Sequence, residues 1–191
     1  MSKERLLAFS DGVFAILITI LVLELKVPHG SDWSALAPLL PVFLVYILSF
    51  VLLGIYWNNH HHMFQICERI NGQVLWANLH LLFWLSLVPF VTGWMGENHF
   101  APLPTAAYGV VLVGAAMAYT ILQTAILREE GPGSRLAVAV GNDRKGKLSL
   151  VLYVVAIPLA FVNPIIADSI FVAVAAIWFI PDSRIEKRIR R

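Results

Sequence analysis

Arg5, Ser10 and Asp11 stand where polar residues are rarely tolerated, at the start of an apolar run that continues to Leu25. A helix over that run is roughly 30 Å long, enough to cross a bilayer. A carboxylate in such a helix is costly unless it is paired, so Asp11 marks either a function or a partner. At 100° per residue, Phe9, Gly12, Ile16, Thr19, Ile20 and Leu23 share one side. Asp11 lies about 140° from Ile16 and Ser10 about 120°. The polar pair is therefore expected to point into its own subunit, away from the Ile16–Leu23 stripe. Arg5, the cluster Trp57-Asn58-Asn59-His60-His61-His62, and Asn71, Asn78 and His80 are the groups able to meet it. A buried hydrogen-bonded network joining the first three helices is expected, because buried polar groups nearly always find partners. The stripe itself has two readings. It faces lipid, or it faces copies of itself around an axis, where rings of isoleucine and leucine would form a narrow apolar constriction that gates by dewetting.

These residues need a membrane scaffold, and the composition provides one. Of the 191 residues, 59% are hydrophobic and 14% charged, against about 25% charged in soluble domains. Six apolar segments follow from the pattern, at about Leu6–Leu25, Leu36–Trp57, Val74–Thr92, Thr105–Leu127, Leu148–Val162 and Pro164–Ile180. All of the 14 Lys and Arg except Lys26 fall at the N-terminus, in alternate loops or in the tail. The positive-inside rule then places both termini in the cytoplasm and predicts an even number of spans. Trp33, Trp57, Trp76, Trp94 and Trp178 fall near segment ends, as an interfacial belt would. Residues 128–147 read as a flexible cytoplasmic connector, and 181–191 as a basic cytoplasmic tail that sets orientation. Asp168, near the outer end of the sixth segment, reads as an interfacial acid that reaches the outer boundary, with a cation-attracting group as the alternative reading. The lone cysteine, Cys67, cannot form an internal disulfide.

The run Arg5-x-x-x-Phe9-Ser10-Asp11-Gly12-Val13-Phe14-Ala15-Ile16 resembles the signature of the transmembrane protein 175 family, the endolysosomal potassium channels and their bacterial and archaeal relatives. Trp57-x-x-His60-His61 and the six-helix layout extend the likeness over most of the chain. One six-helix repeat resembles the bacterial form. The resemblance implies an all-α membrane protein with six transmembrane helices per subunit, a homotetramer whose first helix lines a central pore, and no pore-loop filter. It implies a constriction at Ile16, followed by Ile20 and Leu23, with Thr19 as a pore-lining hydroxyl linked to potassium preference. Arg5, Phe9, Ser10 and Asp11, with Trp57, His60, His61 and His80, correspond to a structural network behind the pore. Potassium would be the permeant ion, in a plasma-membrane protein embedded in lipid. No cofactor, resident metal or nucleic-acid partner is expected. No Thr-Val-Gly-Tyr-Gly filter occurs; Val91-Thr92-Gly93-Trp94-Met95-Gly96 is a faint echo, read here as a loop.

Two rival chemistries use the same residues. Asp11 and Arg5 could form the proton-coupled pair of a secondary transporter, although no inverted repeat or matched pair of broken helices accompanies them. His60-His61-His62 with His80 or His99 resembles part of a histidine box of a membrane metalloenzyme, but such enzymes need several spaced boxes.

Overall fold

The structure, a computed structural model, describes residues 2–131, 133–141 and 143–179. The basic tail at 181–191 lies outside the described residues. Eight α-helices are present among the described residues: α1 (Lys3–Leu21), α2 (Leu40–Ile66), α3 (Gly72–Ser86), α4 (Val88–Glu97), α5 (Pro102–Glu130), α6 (Arg135–Val140), α7 (Arg144–Val162) and α8 (Pro164–Phe179). Five helical segments are long and apolar enough to cross a membrane, with α3 and α4 counted as one, and α8 is a shorter apolar helix. The described residues are thus all-helical, with several apolar helices among them.

Helix boundaries differ from the sequence expectations for identifiable reasons. α1 tightens into a 3-10 turn at Val22–Glu24 before the chain leaves for Pro28. α2 begins later, with Pro41 in its first turn, and runs nine residues beyond Trp57 to Ile66. At 27 residues it is roughly 40 Å long, which exceeds the hydrocarbon thickness. Its last turns carry Asn58, Asn59, His60, His61, His62 and Gln65, so the histidine cluster is helical. The expected continuous helix over 74–92 is two helices. The ladder breaks at Leu87, and Pro89 lies in the first turn of α4, where a missing N–H costs nothing. The filter-like string Val91–Gly96 is therefore part of α4 and not a loop, with Val91, Thr92 and Met95 buried. The connector 128–147 contains α6, capped by the Ser134 side chain on the Ala137 N–H. Asp143 likewise caps α7 through the Gly146 N–H.

Packing between these helices relies on small residues, because lipid tails compete with side chains for apolar contact and close approach must supply the attraction. α5 runs beside α3 and α7 and provides Gly109, Gly114, Ala115 and Ala118 as a narrow face. A side chain at Gly114 would collide with the Trp84 indole. At Gly96 a Cβ would lie 2.6 Å from the Val42 Cα, so α4 and α2 touch backbone to backbone. A polar contact reinforces this crossing. Ser49 of α2 lies 2.7 Å from the Thr92 hydroxyl of α4 and 2.9 Å from the Tyr108 hydroxyl of α5, and all three side chains are buried.

Gly96→Ala has no flexible neighbour to displace. It is expected to lower stability by about 1–3 kcal/mol, measured by thermal unfolding in detergent. Gly54→Ala, with open space around its Cβ, serves as the control and leaves the midpoint within error.

Candidate functional site

α1 has two chemically distinct faces. Leu6, Ser10, Phe14, Leu17 and Leu21 are buried against the rest of the subunit. On the opposite side Phe9, Ile16, Ile20 and Leu23 are exposed at 53%, 58%, 37% and 75%. Thr19 is exposed on that same side and directs its hydroxyl hydrogen back to the helix, where the Ala15 and Ile16 carbonyls lie at 3.0 and 2.9 Å. The lone pairs of the Thr19 oxygen therefore remain free on the exposed surface.

The buried face is locked by a polar chain through three helices. Asn78 of α3 donates from Nδ2 to the Ser10 hydroxyl at 3.0 Å, and its Oδ1 lies 2.8 Å from Nε2 of His60 on α2. With the amide in this orientation, His60 Nε2 must carry the hydrogen. Its Nδ1 is then an acceptor, and it is buried without a partner. The His60 ring packs against Phe14 and Phe64, with centroids 5.6 and 4.6 Å away. A second set lies closer to the surface. The Trp57 indole N–H donates to Asp11 Oδ1 at 2.9 Å, and the indole stacks on His61 at 5.9 Å. Gln65 Nε2 donates to His61 Nε2 at 2.8 Å.

Ser10 and His60 thus meet through Asn78, and Asp11, Trp57 and His61 form a neighbouring set. Three expected members lie elsewhere. Phe9 is 53% exposed on the face of α1 opposite the buried one and joins neither set. His80 is exposed and accepts from the Trp84 indole on its own helix, so it joins neither set within the subunit. Arg5 is exposed on the surface of the protomer and makes no hydrogen bond with Asp11. The buried trio of Ser49, Thr92 and Tyr108 escaped the sequence reading. Its one signal was a serine in the middle of an otherwise apolar helix.

Both ends of α1 are anchored. At the N-terminal end Lys3 Nζ donates to the Cys67 carbonyl at 2.6 Å, where a cation suits the end of α2. Burial pushes the Cys67 thiol up to about 11, so it stays protonated and donates to the Arg69 carbonyl at 3.1 Å. Glu130 accepts from the backbone N–H groups of Glu68 and Arg69, which fixes the same connection from the side of α5. Beyond the other end, Lys26 pairs with Glu97 at 2.6 Å, and the carboxylate holds the ammonium above the ordinary lysine range.

Comparison with known proteins places this arrangement among channels. The family model for the endosomal/lysosomal potassium channel TMEM175 matches residues 5–89, the segment that holds α1, α2 and α3. A potassium channel of Chryseobacterium sp. is 56% identical over 190 residues, covering 100% of this chain and 99% of that one. The endosomal/lysosomal proton channel TMEM175 of Gallus gallus is 32% identical over 68% of this chain, but that match covers only 29% of the animal protein. The crystal structure of a lysosomal potassium-selective channel TMEM175 homolog from Chamaesiphon minutus superimposes with a TM-score of 0.84 at 27% identity, covering 95% of this chain and 98% of that one.

Asn78→Leu leaves Ser10 and His60 without their shared partner. It is expected to cost about 1–3 kcal/mol, read from unfolding in detergent. Adding Ser10→Ala to Asn78→Leu recovers part of that loss, because one orphaned group is removed. A fully additive double variant would show that the two residues are not coupled.

Proposed function

This chain belongs to the TMEM175 channel family, and we propose that it is a potassium-permeable cation channel assembled as a homotetramer, with α1 of each subunit facing a central pore. The observation that carries this reading is the asymmetry of α1. One face is bonded and packed into the subunit, while the other presents an uninterrupted apolar stripe with one hydroxyl. Four copies of that stripe around an axis would stack rings of Ile16, Ile20 and Leu23, with Thr19 between the first two. Ile16 is assigned the narrowest ring.

A constriction of this kind selects by the cost of removing water. Potassium binds its hydration shell less tightly than sodium, so it loses less on entering an apolar ring. The Thr19 oxygen, with its hydrogen turned to the helix, offers lone pairs that offset part of that loss. Such a filter discriminates modestly compared with a multi-site cage of carbonyls. The placement of Val91–Gly96 inside α4 supports this reading, since that string is unavailable as a carbonyl-lined filter.

The assembly would sit in the plasma membrane with both termini cytoplasmic, by the distribution of Lys and Arg. The carboxylate of Asp11 lies on the flank of α1 toward α2, where Trp57 holds it, which supports a structural role for it. A proton-coupled transporter built on Asp11 and Arg5 has less support, because the two are not paired within the subunit and relatives with near-complete overlap carry potassium-channel names.

Ile16→Asn is expected to raise single-channel conductance several-fold and to move the reversal potential under a potassium–sodium gradient toward zero. Recordings in planar bilayers check both quantities. Wild-type conductance and selectivity in that variant would remove Ile16 from the constriction.

A further inference from the structure

Asp168 sits on α8, four residues after Pro164 and so about 6 Å inside the end of the helix. That end lies on the side opposite the basic flanks, which the charge distribution makes the outer side. One carboxylate oxygen, Oδ1, is shielded from solvent and has no hydrogen-bond partner. Lys26, the lone Lys or Arg on that side, is held by Glu97. Asp168 also heads a groove of about 600 Å³ between α2 and α8, in which every other lining side chain is apolar. Leu44, Met95 and Phe100 surround its outer end, and Val51, Ala176 and Phe179 lie further down. From Asp168 to Phe179 the groove follows α8 for roughly 16 Å, the depth of about half a bilayer.

A shielded carboxylate without a partner needs a donor. An inorganic cation does not suit this one, because the groove provides a single carboxylate and no further oxygen side chain to replace a hydration shell. The shape instead matches an amphiphile that carries a hydrogen-bonding cation at one end and a hydrocarbon chain at the other. We propose that the α2–α8 groove binds an outer-leaflet aminophospholipid of the phosphatidylethanolamine type, whose primary ammonium donates to Asp168 and whose acyl chain lies along Val51, Ala176 and Phe179. A choline headgroup has the same charge but no N–H, so it cannot satisfy Oδ1. The distinction between the two headgroups is the specific content of the proposal.

The test uses the purified full-length protein with dioleoyl phosphatidylethanolamine and dioleoyl phosphatidylcholine as competing probes, with retained lipid counted by native mass spectrometry. The expected result is a preference of about tenfold for the ethanolamine lipid, in line with one charge-assisted hydrogen bond. Asp168→Asn, which keeps the shape, reduces that preference several-fold. Ala176→Phe fills the groove without touching the acid and lowers retention of both lipids. Equal retention of the two lipids by the native protein, or an unchanged preference in Asp168→Asn, overturns the proposal. So does loss of the oligomer in Ala176→Phe together with no headgroup preference, since the groove would then be covered by a second copy of the chain.

Discussion

The rotational setting of α1 governs everything else in this molecule. A helix that carries Ser10 and Asp11 on one flank and Ile16, Ile20 and Leu23 on another can satisfy both only in a narrow range of angles. The bond from Asn78 to Ser10, continued to His60, holds the helix in that range from inside the subunit. The Trp57–Asp11 bond holds it from the adjacent flank. Apolar packing alone would not do this in a bilayer, because an apolar face gains little by exchanging lipid for protein. Directional hydrogen bonds, which have no competitor in hydrocarbon, supply the specificity that hydrophobic burial supplies in water.

The ends of the helix repeat the same logic with charge. Lys3 fastens the N-terminal end to the final carbonyls of α2, and the Lys26–Glu97 pair fastens the segment beyond the C-terminal end to α4. The Lys26–Glu97 pair is solvent-exposed and individually weak. Its consequence is geometric, because it limits the freedom of the 3-10 turn that follows Leu21. Close backbone crossing at Gly96 and the hydroxyl contacts of Ser49, Thr92 and Tyr108 then fix α4 against α2 and α5. The surface left without an intrasubunit partner includes the stripe assigned to the pore.

The division of α1 into two faces was legible from residue spacing, because a regular helix leaves no freedom in where Ser10 and Ile16 point. The apolar order of the chain was legible for the same reason. Periodicity could not decide what the Ile16–Leu23 stripe faces, since lipid and a ring of copies ask for the same side chains. Hydropathy ended α2 at Trp57, although the helix continues through Asn58–Gln65, because polarity marks the membrane boundary and not the end of a backbone hydrogen-bond ladder. It likewise missed the break at Leu87, where Pro89 restarts the ladder within an unbroken apolar stretch. The sequence offers His80 as a group able to meet the Ser10–Asp11 pair, but on α3 it accepts a hydrogen bond from Trp84. Ser49 was invisible as a partner of Thr92 and Tyr108, because a contact between residues distant in sequence leaves no local pattern.

The central claim, that the exposed face of α1 surrounds the ion path, is tested most directly by cysteine accessibility under voltage clamp. Single cysteines at Ile16, Ile20 and Leu23 are compared with cysteines at Leu17 and Leu21 of the buried face, using a water-soluble, thiol-reactive cation. The account predicts rapid block at Leu23 and state-dependent block at Ile20 and Ile16, with no effect at Leu17 or Leu21. Unmodified current at all three exposed positions, with thiols that react only with lipid-soluble reagents, would place the stripe against the bilayer and contradict it.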